Sequence, residues 1–348
     1  MATPHLQPMH TLWPLYAPAD APHAFTATSE ATAHTWQHST RAAFAQTLGL
    51  GAFAPAPLEC SLIAEVDKGA YVRSKYLLRT GPHTLMPWYL LMPKGAQRPL
   101  PVVLALHGHG YGVADIVGLW EDGSERYTAS GYHNDFAVAL CRHGFAVAAP
   151  EISCFGERQN DYQYLDTING QPVPSTCAHT AMLALHMGTS VAGMRVHDAL
   201  RLVDYLETRP ELDTQRLGAM GISGGGMHAL FSAAVDPRIK ACVISGYFST
   251  FRDSILAMHH CACNFVPGLG QFGEMADIAG LVAPRPLFVE AGTRDPIFPI
   301  KAVKQGVQAA RHIYGIFGAS QRIDTEYFEG RHEIHGTKAY PWLQQQLT

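Results

Sequence analysis

The chain has 348 residues, 47% of them hydrophobic and 16% charged, with a formal net charge of −4. That balance, without a basic run or a Lys/Arg stripe interleaved with aromatics, sets aside nucleic acid and anionic membrane as partners. No apolar stretch approaches the roughly 18 residues of a membrane span. Met1-Ala2-Thr3-Pro4-His5-Leu6 lacks the basic-then-apolar pattern of a secretory leader. Seven cysteines, an odd number, then read as free thiols of a reducing compartment, and the expected location is cytoplasmic.

In chain order, residues 1–27 carry repeated prolines and little periodicity, as an irregular arm would. Residues 28–50 suit a helix capped by Ser29, with apolar Ala33, Trp36, Ala43, Phe44 and Leu48 and a stop at Gly49. Pro55 and Pro57 lead into a meander of strands at 61–66, 70–79 and 84–92. From residue 101 strands and helices alternate. Buried-type strands are expected at 102–106, 145–149, 240–245 and 286–291, another runs into Gly221, and the last lies at 322–328. Between them a helix should start at Asn134 or Asp135. The helix at 193–207 should turn Val196, Leu200, Val203 and Leu206 inward and Arg195, Asp198, Arg201 and Asp204 outward. Helices at 300–314 and 337–347 follow. Repeated βα units define an α/β class with a mostly parallel sheet, helices on both faces and antiparallel leading strands. The expected division is an arm and helix at 1–57 and a catalytic domain at 58–348, with an insertion at about 246–283 over the site.

Sites in such sheets lie beyond the carboxyl ends of the strands. One of those ends carries Gly221-Ile222-Ser223-Gly224-Gly225, between a strand and an Ala/Leu-rich helix. G-x-S-x-G in that context is a nucleophile elbow, where glycines admit a turn sharp enough to lift the Ser223 hydroxyl clear. A serine needs a base. Asp295 follows the strand at 286–291 and His332 follows the last strand, so Ser223, Asp295 and His332 make a triad with His332 as base and Asp295 as its orienting acid. His335 is a rival base, and Glu290 and Asp324 are rival acids. The oxyanion donors should be the backbone N–H of Gly224 and that of His109, with Gly110 as an alternative to the latter. His107 reads as a structural histidine of that loop.

Trp120, Tyr127, Phe248, Phe251 and His260 are candidates for contacting substrate, and Phe248, Phe251, Met258, Phe265 and Phe272 of the insertion could supply an apolar acyl pocket. The aromatics could equally pack that segment onto the body. Cys261-Ala262-Cys263 beside His259-His260 uses metal-ligand vocabulary, but no second pair nearby completes four ligands, so no metal and no cofactor are expected.

His107-Gly108-His109-Gly110, Pro150-Glu151 with Phe155-Gly156-Glu157-Arg158, the Ser223 elbow, Gly292-Thr293-Arg294-Asp295 and Gly330-Arg331-His332 together resemble the α/β-hydrolase superfamily. The resemblance is to its dienelactone-hydrolase-like and acetyl-xylan-esterase-like branch, over about residues 100–340. His259 to Asn264 followed by Pro267-Gly268-Leu269 resembles bacterial members of that branch. Dienelactone hydrolases proper use cysteine where this chain has Ser223, so the resemblance implies ordinary carboxylic esters. The expected activity is a serine carboxylesterase for short acyl esters, such as acetylated sugars or small lactones. A prolyl-oligopeptidase-like peptidase and a catalytically silent member of the fold are the alternatives. The expected partner is a small-molecule ester, and a homo-oligomer is compatible with the sequence.

Overall fold

Along β4 (Leu100–Leu106) alternate side chains enter two different apolar clusters: Leu100, Val102, Leu104 and Leu106 one, Val103 and Ala105 the other. A strand with period-two side chains and apolar residues at every inner position must be covered on both faces. β4 is accordingly central. The computed structural model describes residues 6–161 and 176–347, so the first five residues of the expected arm lie outside the described residues.

Nine strands form one sheet among the described residues, in the order β1-β2-β3-β5-β4-β6-β7-β8-β9. β1 (Cys60–Asp67), β2 (Tyr71–Gly81) and β3 (Thr84–Pro93) are the antiparallel meander, and β3 joins β5 (Ala146–Pro150) antiparallel. From there β5, β4, β6 (Leu212–Ile222), β7 (Ala241–Ser245), β8 (Leu287–Gly292) and β9 (Ile323–Phe328) run parallel, so their carboxyl ends share one rim.

Ahead of the sheet come a one-turn helix, α1 (Met9–Leu12), and α2 (Glu30–Thr47), where Ser29 accepts the Thr32 N–H as N-cap. α2 is tied down by polar contacts. Gln37 donates to the carbonyls of Gly280 and Ala283, and Arg41 donates to those of Ala234 and Leu281. The remaining helices are α3 (Phe136–Arg142), α4 (Cys177–His186), α5 (Val191–Leu206), α6 (Gly224–Val235), α7 (Met275–Gly280), α8 (Ile300–Ile316) and α9 (Ala339–Leu347). Residues from α5, α6, α7 and α8 pack on one face of the sheet, and those of α3 and α9 on the other. No described helix is long and apolar enough to cross a membrane.

Two expectations about polar side chains differ from the structure. Asp135 precedes α3 but does not cap it: its backbone is left-handed, and its carboxylate pairs with the buried Arg126 instead. On α5, Arg195 and Asp198 are buried rather than turned to solvent. Asp198 has a partner in Arg158 at 2.7 Å, from the segment after β5, and that segment covers the face the helical period would have left wet.

Candidate active site

At the end of β6 the chain turns through Ser223, whose φ of 57° and ψ of −124° are sparsely populated for a residue with a side chain. α6 begins at the next residue. The turn is possible because the backbones touch: a Cβ on Gly221 would stand 2.1 Å from the Gly225 oxygen, and one on Gly225 would stand 1.9 Å from the Leu106 oxygen. Gly225→Ala should therefore push α6 off β4 and destabilise the protein by about 3 kcal/mol, the upper end of overpacking costs. Chemical denaturation reads this directly, and an unchanged midpoint would refute the close-approach argument.

β8 and β9 continue their pairing past their ends, where Thr293 N–H donates to the Phe328 carbonyl (2.8 Å) and Arg294 N–H to the Gly330 carbonyl (2.9 Å). This places the Asp295 and His332 loops side by side. His332 Nδ1 is 2.7 Å from Asp295 Oδ2, with the Asp295 side chain only 1% exposed. Asp295 Oδ1 accepts two backbone N–H bonds, from Ile297 (2.8 Å) and Phe298 (3.1 Å). The carboxylate is held at both oxygens, as a group that must orient an imidazole requires. The His332 ring packs against Phe298 (centroids 5.8 Å apart) and Tyr132 (5.4 Å), and lies close to Gly246, where a Cβ would be 3.0 Å from its Cε1.

Ser223, Gly224, His109 and His332 border one cavity of about 380 Å³, completed by Tyr132, Tyr247, Met258, His259, His260, Cys261, Asn264, Ile297 and Phe298. Gly110 is not among its walls. The loop after β4 is braced from behind. His107 Nδ1 donates to the Gly108 carbonyl and Nε2 accepts the Ile152 N–H, the structural part expected of it, with Glu151 Oε1 3.1 Å from Nε2. Gly108 N–H donates to His133 Nε2 at 2.9 Å, and His133 Nδ1 is 2.9 Å from Asp115 Oδ2. Burial lowers the His133 pKa more than Asp115 raises it, which keeps Nε2 free to accept. Tyr132 O–H closes the brace on the His109 carbonyl. Sequence reading missed this His133–Asp115–Arg126 network. Its members lie in an irregular stretch whose only signal is an excess of polar residues.

The rivals are occupied elsewhere. His335 Nδ1 is 2.8 Å from Glu326 Oε1, and its ring stacks on Phe328, on the border of a different cavity. Glu290 accepts from Ser245 O–H and from the N–H groups of His335 and Gly336, and burial raises its pKa. Asp324 accepts the Trp342 indole N–H at 2.8 Å. Among the substrate-contact candidates, His260 and Met258 border the Ser223 cavity. Trp120 lies under Arg126, and Tyr127, 87% exposed, lies under Lys68 beside another cavity. Phe248 and Phe251 are buried in the main core, as is Phe272. Phe265 is exposed outside the cavity walls, whereas Met258 is one of those walls. Most of the insertion's aromatics hold it to the body because burying a large ring is worth more than presenting it to a small cavity.

The expectation that Cys261 and Cys263 have no further ligands near them also differs from the structure. His109 and Cys177 lie beside them, with all four ligand atoms within 4.8 Å of one another.

A parallel sheet carrying a strained serine elbow, with an acid and a histidine beyond its last two strands, defines an α/β-hydrolase fold. The chain belongs to the abhydrolase family, whose family model matches residues 11–316. It is 28% identical over 272 residues to YtaP of Bacillus subtilis (strain 168), named there as a candidate hydrolase, covering 76% of this chain and 83% of that one. Among solved structures, a candidate acetyl xylan esterase from Bacteroides fragilis NCTC 9343 superposes with a TM-score of 0.79 at 15% identity, over 98% of this chain and 95% of that one. A glucuronoyl esterase from Solibacter usitatus does so with a TM-score of 0.64 at 16% identity, over 95% of this chain and all of that one.

Proposed function

We propose that the protein is a serine carboxylesterase that cleaves short-chain acyl esters, acetyl esters foremost. The observation that carries this is the convergence of Ser223, the Asp295-bonded His332 and the walls formed by Gly224 and His109 on one cavity. Ser223 Oγ attacks the ester carbonyl while His332 Nε2 takes its proton. The oxyanion is met by the backbone N–H groups of Gly224 and His109. Collapse breaks the bond to the alkoxy oxygen, His332 returns the proton, and the alcohol leaves an acyl-serine. Water, deprotonated by His332, then releases the acid and restores Ser223.

A volume near 380 Å³ is at the small end for ligand sites. Apolar walls from Tyr247, Met258, Ile297 and Phe298 suit a short acyl group, while Asn264, His259 and His260 offer polar contacts to an alcohol such as a sugar hydroxyl. Relatives of the fold named as acetyl xylan esterases support the same class.

A fluorophosphonate should label Ser223 stoichiometrically, and kcat/KM for p-nitrophenyl esters should fall steadily from acetate to octanoate. Peptide mass mapping with no adduct on Ser223 would dismiss the esterase reading. Cleavage of dipeptidyl amides in preference to acetate would replace it with the peptidase.

A further inference from the structure

We infer that His109, Cys177, Cys261 and Cys263 form a closed tetrahedral zinc site that ties α4 to two segments that wall the Ser223 cavity. The donors come from three separate segments: the loop after β4, the first turn of α4, and the insertion after β7. Zinc with bonds of about 2.3 Å to sulfur and about 2.0–2.1 Å to nitrogen needs ligand atoms roughly 3.5–3.8 Å apart. Cys263 Sγ is 3.7 Å from His109 Nε2 and 3.3 Å from Cys261 Sγ. With no pair beyond 4.8 Å, small side-chain rotations complete the tetrahedron.

Charge supplies the second argument. Arg195, 2% exposed, donates Nη2 to the Ser153 carbonyl (3.1 Å) and to Cys177 Sγ (3.3 Å), and its guanidinium lies over the Phe155 ring. No carboxylate pairs with it among the described residues. An unpaired buried cation is costly, and its side-chain hydrogen-bond partner is the Cys177 sulfur of this cluster, where zinc coordination would place thiolates. Three thiolates and one guanidinium leave two negative charges, which a divalent metal neutralises. Asn264 Nδ2 adds a long contact to Cys263 Sγ (3.9 Å) and a bond to the Cys261 carbonyl (3.1 Å), supporting the two donors of the insertion.

The donor set chooses the metal. Thiolate and imidazole select zinc over magnesium or calcium. Four protein ligands leave no open position, which marks a structural site, not a Lewis acid for the ester. Its consequence for chemistry, which rests on the proposed esterase reading, is to fix His109 and hence the backbone N–H assigned to the oxyanion. A local reading of Cys261-Ala262-Cys263 could not find the set, because Cys177 and His109 lie far upstream.

The test is elemental analysis of the full-length protein purified under reducing conditions from zinc-containing medium. About one zinc per chain is expected, as for a single closed site. Cys177→Ser and Cys263→Ser should lose it, while Cys60→Ser, whose thiol lies on β1, should keep it. Should those variants fold poorly, Co2+ added to metal-stripped wild type should give the intense thiolate-to-cobalt absorption and visible bands of a tetrahedral site. Folded wild type that contains no zinc and shows no such bands would overturn the inference. So would zinc content indifferent to Cys177 and Cys263, or a disulfide among these cysteines in freshly isolated protein. Metal is counted without substrate: a zinc-loaded protein inert towards esters would sink only the catalytic reading, and an active, zinc-free one only this site.

Discussion

Ser223→Ala is expected to lower kcat for p-nitrophenyl acetate by about 10⁶-fold, the scale seen when a serine nucleophile is removed, while leaving the fold intact. The stability half follows from what the hydroxyl does not do. α6 receives no side-chain cap from Ser223, and the residue's structural bond, its N–H to the Ser245 carbonyl at 3.0 Å, is backbone and survives in alanine. Alanine meets the same left-handed strain as serine at this position, so neither relief nor new strain is introduced. Melting temperature and near-ultraviolet dichroism should match wild type. A variant that still turns over acetate at wild-type speed would remove Ser223 from the chemistry, and a merely unfolded one is recognised by the same spectra.

The features legible in the sequence are those that a few neighbouring residues encode. Continuous apolar runs marked the parallel strands, because burial on both faces leaves no polar alternation. Ser29 announced the start of α2, and glycines on both sides of Ser223 announced a backbone too tight for side chains. That Asp295 and His332 lie together followed from position, since the ends of parallel strands converge whatever the intervening sequence. What escaped depends on contacts between distant segments. Arg195 falls on the outward phase of α5, yet the segment after β5 and Cys177 cover it. Tyr127 and Phe248 look alike as aromatic candidates, but one is 87% exposed and the other lies in the core. No local pattern separates them, because burial is decided by what packs above.

Asp295→Asn should cost about 10⁴ in kcat with little loss of stability, the effect of holding an imidazole in the wrong tautomer. In the wild type one carboxylate oxygen accepts from His332 Nδ1, and the other accepts the N–H groups of Ile297 and Phe298. The asparagine amide keeps its oxygen on those two backbone donors, since turning it round would set its NH2 against both of them. That orientation presents the NH2 to His332 Nδ1, which must then accept, and the ring proton moves to Nε2. An imidazole protonated at Nε2 has no lone pair with which to take the Ser223 proton. Phe298 and Tyr132 still pack against the ring, so its position is retained while its function is lost. Neither rival acid can stand in, because Asp324 is engaged with Trp342 and Glu290 with Ser245 and two backbone N–H groups. Two readouts separate this from loosened packing: fluorophosphonate labelling of Ser223 should slow in parallel with kcat, and the KM for acetate should scarcely move. Retention of more than about a tenth of wild-type kcat, against the 10⁴-fold loss expected for a displaced tautomer, would mean that Asp295 does not set the state of His332.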